Sequence, residues 1–299
     1  MINISNHNNF AKIEPINKGW SSDKKFYIET VENKRLLLRI SDITEYDKKK
    51  AEFEAVKLVA QQGISMSQPI DFGICNDGNN IYTLLSWTEG EDAEVVIPTL
   101  SENEQYDLGI KAGELLAKIH SIPAPAGQEP WGKRFNRKTD YKIEKYKNCG
   151  IKFPGDTKIL DYLEQNRHLF EDRPQCFQHG DYHLGNMIVS PDGMLTVIDF
   201  NRFDYGDPWE EFNRIVWCAA HSKHFASGRI NGYFANNVPE DFFRLLAFYI
   251  CSNTLSSIYW AIPFGQAEIN TMLKQASDVL RWYEDMTNVI PKWYIAGVL

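Results

Sequence analysis

The stretch from His179 to Phe200, H-G-D-Y-H-L-G-N-M-I-V-S-P-D-G-M-L-T-V-I-D-F, constrains this chain more than any other. Apolar and β-branched runs flank Pro191-Asp192-Gly193. The pattern predicts a loop, a strand from Met187 to Val189, a turn, and a second strand from Leu195 to Ile198 that ends at Asp199. Three polar residues fall at defined places on it: Asp181 and Asn186 on the loop, and Asp199 at the strand end. A carboxylate beside an acceptor hydroxyl can take its proton, while an Asn and a second Asp can hold magnesium against nucleotide phosphates. The residues alone therefore raise a phosphoryl-transfer hypothesis. A rival reading makes His179, Asp181 and His183 a metal site of a hydrolase, since alternate residues of a strand converge on one face. That reading lacks a further ligand cluster at usual spacing and leaves Asn186 and Asp199 without a role.

The order H-x-D-x-x-x-x-N followed by D-F matches the catalytic loop and metal-binding Asp of protein kinases. The longer strings H-G-D-Y-H-x-G-N-x-I, V-I-D-F and Y-G-D-P-W-E-E-F resemble the aminoglycoside phosphotransferase family, a small-molecule branch of the kinase-like fold. Gly180 stands where protein kinases carry Arg, and Asp199-Phe200-Asn201 where they carry D-F-G. Both differences point to the small-molecule branch. The resemblance covers nearly the whole chain and is most specific from Gln178 to Phe212. It implies an α+β, two-lobed protein kinase-like fold, with a sheet-rich nucleotide-binding N-lobe (1–87) and a mainly helical catalytic and acceptor-binding C-lobe (88–299). It also implies ATP (or GTP) with Mg²⁺ as cofactors, Asp181 as the catalytic carboxylate, and Asn186 and Asp199 as the metal ligands. Asp207 is implied as a group steadying the loop.

Upstream, residues 12–40 read as a hairpin-rich sheet around the turn at Gly19. The resemblance makes this turn the flap over the phosphates, with Ser21 and Ser22 as donors. Arg39, in Leu36-Leu37-Leu38-Arg39-Ile40, stands where kinases carry a phosphate-binding Lys, and a guanidinium can still bind phosphate bidentately. Asp47 to Gln62 reads as a helix closed by Gly63. Glu52 lies beside its apolar stripe and is the expected partner of Arg39. The strand from Ile81 to Leu85 feeds a hinge-like segment, where backbone groups of Ser86 and Thr88 are expected to meet the adenine edge.

Ser101-x-x-Glu104 is a capping box opening a helix to about Ser121. Helices are also expected over 159–170, 208–220, 239–262 and 266–290, with a basic, aromatic insertion over 133–152. His120 reads as a structural hydrogen-bonder. His221 and His224 are too few for a metal site.

Five cysteines, widely spaced and without a C-x-x-C pair, fit free thiols in a reducing cytoplasm. A formal charge of −8 argues against nucleic acid as partner. No long uninterrupted apolar run predicts a membrane span, and the segment from Phe242 to Ile262 reads as a buried helix. A monomer or homodimer is expected. Residues 1–87 hold 11 acidic and 11 basic residues, so the remaining 29 acidic and 21 basic residues place the whole −8 after residue 87. A field of that sign draws cations, with Asp204, Glu210 and Glu211 close in sequence to the hairpin. The expected acceptor is therefore a small cationic hydroxyl compound. The resemblance favours an aminoglycoside over choline or another amino alcohol. A nucleotide-binding pseudokinase, suggested by Arg39, stays open beside the hydrolase.

Overall fold

The computed structural model describes residue 4, residues 9–17 and residues 22–297. It divides into two compact units, Met1–Asp92 with Asn186–Phe203, and Ala93–Gly185 with Asp204–Leu299. Together they give a mixed fold: a sheet-rich first unit and a mainly helical second one.

The first unit is built on five antiparallel strands, β1 (Phe10–Ile16), β2 (Lys24–Thr30), β3 (Arg35–Asp42), β4 (Pro69–Cys75) and β5 (Asn80–Ser86), in the order β1-β2-β3-β5-β4. Strand alternation puts Leu36, Leu38 and Ile40 into a core with Ile28, Tyr82 and Leu84. The same alternation leaves Arg39 and Ser41 on the opposite face of β3. Helix α1 (Tyr46–Ala60) lies against β4, with the Phe53 and Phe72 rings stacked at 5.5 Å. Gly63, at φ +64°, lets the chain turn out of the helix where a side chain would strain it.

A short β6 (Glu91–Asp92) closes this part of the chain. After passing through the second unit, which includes β7 (Cys176–Gln178), the chain returns with the hairpin β8 (Met187–Val189) and β9 (Leu195–Val197). The hairpin lies where the sequence pattern places it, yet it belongs to the first unit, whereas a single boundary after residue 87 had assigned it to the second. The reason is hydrogen bonding. β8 pairs with β6, the Val197 N–H donates to the Ser65 carbonyl at 3.0 Å, and the Ser65 and Thr196 hydroxyls meet at 2.7 Å.

The second unit contains α2 (Ala93–Val96), α3 (Glu102–His120), α4 (Trp131–Asn148) and α5 (Asp156–Gln165). These are followed by β10 (Asp204–Gly206) paired with β7, then α6 (Ile215–His221), α7 (Lys223–Tyr233), α8 (Glu240–Ala261) and α9 (Gln266–Trp282). The Ser101–Glu104 capping box is formed, and the basic, aromatic insertion is α4. Among the described residues, the α8 region (Glu240–Phe264) is the one helical stretch long and apolar enough to cross a membrane, but 67% of its apolar window is buried in the fold.

Helix α7 is absent from the sequence reading. Residues Phe225 to Asn231 are all buried, so it has no polar face to generate a helical period. It lies directly on α3. A Cβ at Gly113 would sit 2.2 Å from the Arg229 carbonyl oxygen, and one at Gly228 would sit 2.2 Å from that of Tyr106. Two G-x-x-x-G pairs, Gly109/Gly113 and Gly228/Gly232, thus bring backbone against backbone. Gly113→Ala or Gly228→Ala should force the helices apart and lower stability by about 1–3 kcal/mol, measured as a fall in the urea midpoint with little change in slope.

Candidate active site

In the first unit, charged side chains gather on the outer face of β3. Arg39, 9% exposed, donates from Nε and Nη2 to Asp23 Oδ2 at 2.9 and 2.7 Å, and from Nη1 to Asp199 Oδ1 at 2.9 Å. Asp23 also accepts from the Ser41 hydroxyl at 2.7 Å and from Lys49 Nζ at 3.1 Å. Burial alone would raise the Asp23 pKa; the charge of Arg39, the Ser41 hydroxyl and the charge of Lys49 overcome it and hold the carboxyl far below its usual range. Lys25 stands opposite Arg39 in the β2–β3 register. Burial, together with the charge of Arg39, lowers its pKa. A small cleft lies here, lined by Arg39, Lys49, Glu52, Thr83, Asp199 and Phe200 among others.

Asp199 terminates the hairpin at φ +66°, a conformation that bends the chain sharply after β9 and brings its carboxylate to Arg39. Asn186 is half-buried at the start of β8, and its carbonyl accepts the Ile198 N–H at 3.0 Å, which ties the two ends of the hairpin together. Both side chains offer hard oxygen donors of the kind magnesium takes.

The remaining expected nucleotide residues divide. Glu52 does not pair with Arg39. It pairs with Lys49 at 3.1 Å, one helical turn back on α1, and Asp23 takes the place at Arg39. Ser86 has its N–H donated to the Gln68 carbonyl at 2.8 Å, and its hydroxyl accepts the Gln68 N–H at 2.8 Å, so its amide is engaged within the unit. Thr88 lies beyond β5; its hydroxyl meets that of Ser67 at 2.9 Å, and its backbone makes no hydrogen bond to the described residues. Ser21 lies outside the described residues. Ser22 is exposed, two residues before β2.

The second unit holds Asp181 on the loop after β7. Its carboxylate, 16% exposed, lies 2.7 Å from Arg214 Nε and 3.5 Å from His183 Nε2. Burial drives His183 down to about 4 against the opposing charge of Asp181, and the charge of Arg214 adds to the shift. The ring is therefore neutral at pH 7. Its Nδ1 accepts the Gly185 N–H at 3.1 Å, so the proton sits on Nε2, on the side of Asp181.

The loop backbone is gripped from behind. Gly180, at φ +82°, donates its N–H to Glu211 at 3.0 Å. Burial would raise the Glu211 pKa, but His120, His179 and the Gly180 amide hold it down to about 2. Arg229, wholly buried, donates to the Tyr182 carbonyl at 2.8 Å and to the Glu211 carbonyl at 3.3 Å, and it stacks on the Tyr182 and Phe212 rings. Asp207, also fully buried, receives a two-pronged bond from Arg173 and the Tyr249 hydroxyl at 2.6 Å. Its carbonyl accepts from Gln178 at 2.8 Å, just ahead of the loop.

This arrangement disfavours the hydrolase reading. His179 is fully buried and its Nδ1 accepts the Asp181 N–H at 3.2 Å, while both His183 nitrogens are engaged. Among the described residues no three His, Cys, Asp or Glu side chains gather as a metal site. His221 and His224 turn to the Trp217 carbonyl and to Glu102 respectively. Sequence reasoning missed Asp23, Lys25, Lys49, Arg214 and Arg229.

Comparison with known proteins agrees with the geometry. The model of the phosphotransferase enzyme family matches residues 12–246. A search of curated proteins returned no match. Among solved structures, the aminoglycoside phosphotransferase APH(4)-Ia superposes with a TM-score of 0.65 at 15% identity, covering 92% of this chain and 94% of that one. ADP-bound APH(2'')-Ib gives 0.64 at 17% identity over 90% and 94%, and the gentamicin complex of APH(2")-IIa gives 0.63 at 18% over 93% of each chain. At these identities the likeness is one of fold. The family match spans most of the chain, from the first strand of the sheet through the catalytic loop and hairpin into α8: the protein belongs to the phosphotransferase enzyme family.

Proposed function

We propose that this protein transfers the γ-phosphate of ATP to a hydroxyl of a small molecule. The observation that carries this reading is the meeting of Arg39 and Asp199, 160 residues apart, at 2.9 Å. It joins the cation of the sheet to the carboxylate that the kinase pattern assigns to metal. In the reaction the acceptor O–H bond breaks and an O–P bond forms. The bond from the γ-phosphorus to the bridging oxygen breaks, and ADP leaves with that electron pair. Asp181 orients the hydroxyl and takes its proton. Asn186 and Asp199 would hold Mg²⁺, which when bound neutralises phosphate charge. Lys25 and Arg39 supply positive charge for the phosphates, and Lys25, lowered by burial and by Arg39, gains most from an anion beside it. Free thiols at all five cysteines support a reducing cytoplasm as the place of action.

For the acceptor, the complexes of related folds with hygromycin B, gentamicin and streptomycin offer the aminoglycosides as precedent. The charge argument for a cation does not add to it locally. Asp204 pairs with Arg134, Glu210 with Lys138, and Glu211 is buried on Gly180.

Asp181→Asn should lower kcat by about 10²–10⁴-fold with an identified acceptor, since a general base contributes on that scale. A turnover within about threefold of wild type would remove Asp181 from the mechanism. In nucleotide-binding titrations over a magnesium series, Asn186→Ala and Asp199→Ala should lose the magnesium dependence, and His183→Ala should keep it. The reverse result would favour the hydrolase. Lys25→Met should raise the KM for ATP about tenfold while leaving the acceptor KM within about threefold, in line with one lost phosphate contact.

A further inference from the structure

The two carboxylates on Arg39 are not equivalent. Asp23 takes one edge of the guanidinium, through Nε and Nη2, and its side chain is only 2% exposed. Asp199 meets the Nη1 corner, and its side chain is 28% exposed. Asp23 is itself fixed in place. Its Oδ1 accepts from Ser41, which shares a face of β3 with Arg39, while its Oδ2 accepts from Arg39 and from Lys49 of α1. With both oxygens engaged and water excluded, the carboxylate is held in one orientation. Two N–H groups on one edge of Arg39 converge on it, which fixes the plane of the guanidinium. Glu52, the carboxylate that a helix would offer for this task, is held at 3.1 Å by Lys49.

We propose that Asp23 is a positioning residue for phosphate binding, holding the Nε–Nη2 edge of Arg39 so that the Nη1 corner is presented to the nucleotide phosphates. The inference rests on the reading of Arg39 as a phosphate cation. The buried bond to Asp23 is kept when nucleotide binds, and the more accessible bond to Asp199 is the one exchanged for a phosphate oxygen. Without Asp23, the guanidinium would turn its fork onto Asp199, which matches it two-pronged, and the incoming anion would have to displace that pair. Asp23 directly precedes β2, and Arg39 and Ser41 lie on β3, so the aim of the cation is set within the sheet. Helix α1 supports it only through Lys49, the residue that also occupies Glu52.

The test measures, by calorimetry on the full chain with magnesium present, the affinities for ATP and for adenosine, which carries the base without phosphates. Asp23→Asn should weaken ATP by about tenfold or more and leave adenosine within about threefold, in line with a lost contact to a charged group. A merely structural role would weaken both together. In the Arg39→Met background the same change should weaken ATP by less than about twofold, because the residue it positions is gone, whereas independent effects would multiply. Ser41→Ala removes one support of Asp23 and keeps every charge; it should weaken ATP by about threefold and spare adenosine. Glu52→Gln should weaken ATP less than Asp23→Asn does. Thermal midpoints accompany every variant, and if Asp23→Asn does not fold, Ser41→Ala and its combination with Arg39→Met decide the matter. ATP and adenosine weakened alike, full additivity with Arg39→Met, or a greater loss in Glu52→Gln would overturn the proposal. Arg39→Met alone separates the two levels. If it leaves ATP affinity within about threefold, the phosphate role of Arg39 falls; if it weakens ATP about tenfold while Asp23→Asn does not, only the positioning by Asp23 falls.

Discussion

The bond between Arg39 and its two carboxylates is the constraint on which the first unit is organised. A buried guanidinium is costly to remove from water, and it is tolerated here because Asp23 and Asp199 approach it from two sides. One partner comes from the residue just before β2, the other from the end of a hairpin far along the chain. Sheet and hairpin are therefore held by one side chain, the one proposed above to supply charge for the phosphates. The arrangement also sets a condition on catalysis. Arg39 already faces carboxylates, so a phosphate entering beside it must share or exchange a partner, and Lys25 and Lys49 are the nearby cations that make this feasible.

In the second unit the loop that carries Asp181 is fixed through its backbone rather than through the Asp181 carboxylate. Glu211 takes the Gly180 amide, Arg229 donates to the Tyr182 carbonyl, and the Tyr182 hydroxyl reaches the Ala112 carbonyl of α3 at 2.7 Å. Each contact is with a charged or polar group shielded from water, where a hydrogen bond is strong and its loss leaves an unsatisfied partner. Asp181 is thereby positioned by neighbours on either side while its own carboxylate stays partly accessible, at 16% exposure.

The hairpin was legible because its β-branched runs and P-D-G turn are local signals; Asn186 and Asp199 sit at its two ends, and Asp181 lies on the loop before it. Other parts were hidden for identifiable reasons. Lys49 sits in a run of three lysines that reads as a solvated face, yet the helical turn points only this one inward, at 6% exposure. Glu52 lies beside the apolar stripe of α1, but a lysine three residues earlier on the same helix intercepts it. Asp23 follows two serines and looks like turn chemistry. Arg214 is masked by the acidic pair preceding it in E-E-F-N-R. Such roles depend on contacts between distant segments, which no periodicity encodes.

The glycine contact of α3 with α7 has a consequence for how the chain reaches its structure. These helices begin at Glu102 and Lys223, so their union closes a loop of more than a hundred residues before either glycine face is covered. Without an intervening layer of side chains, the fit is all-or-none: partial approach leaves bare backbone on both helices. The loop that carries Asp181 is enclosed in that same closure, and Arg229 is contributed by the later helix. During synthesis this loop therefore emerges well before the residue that clamps it, and its final form must wait for this long-range docking.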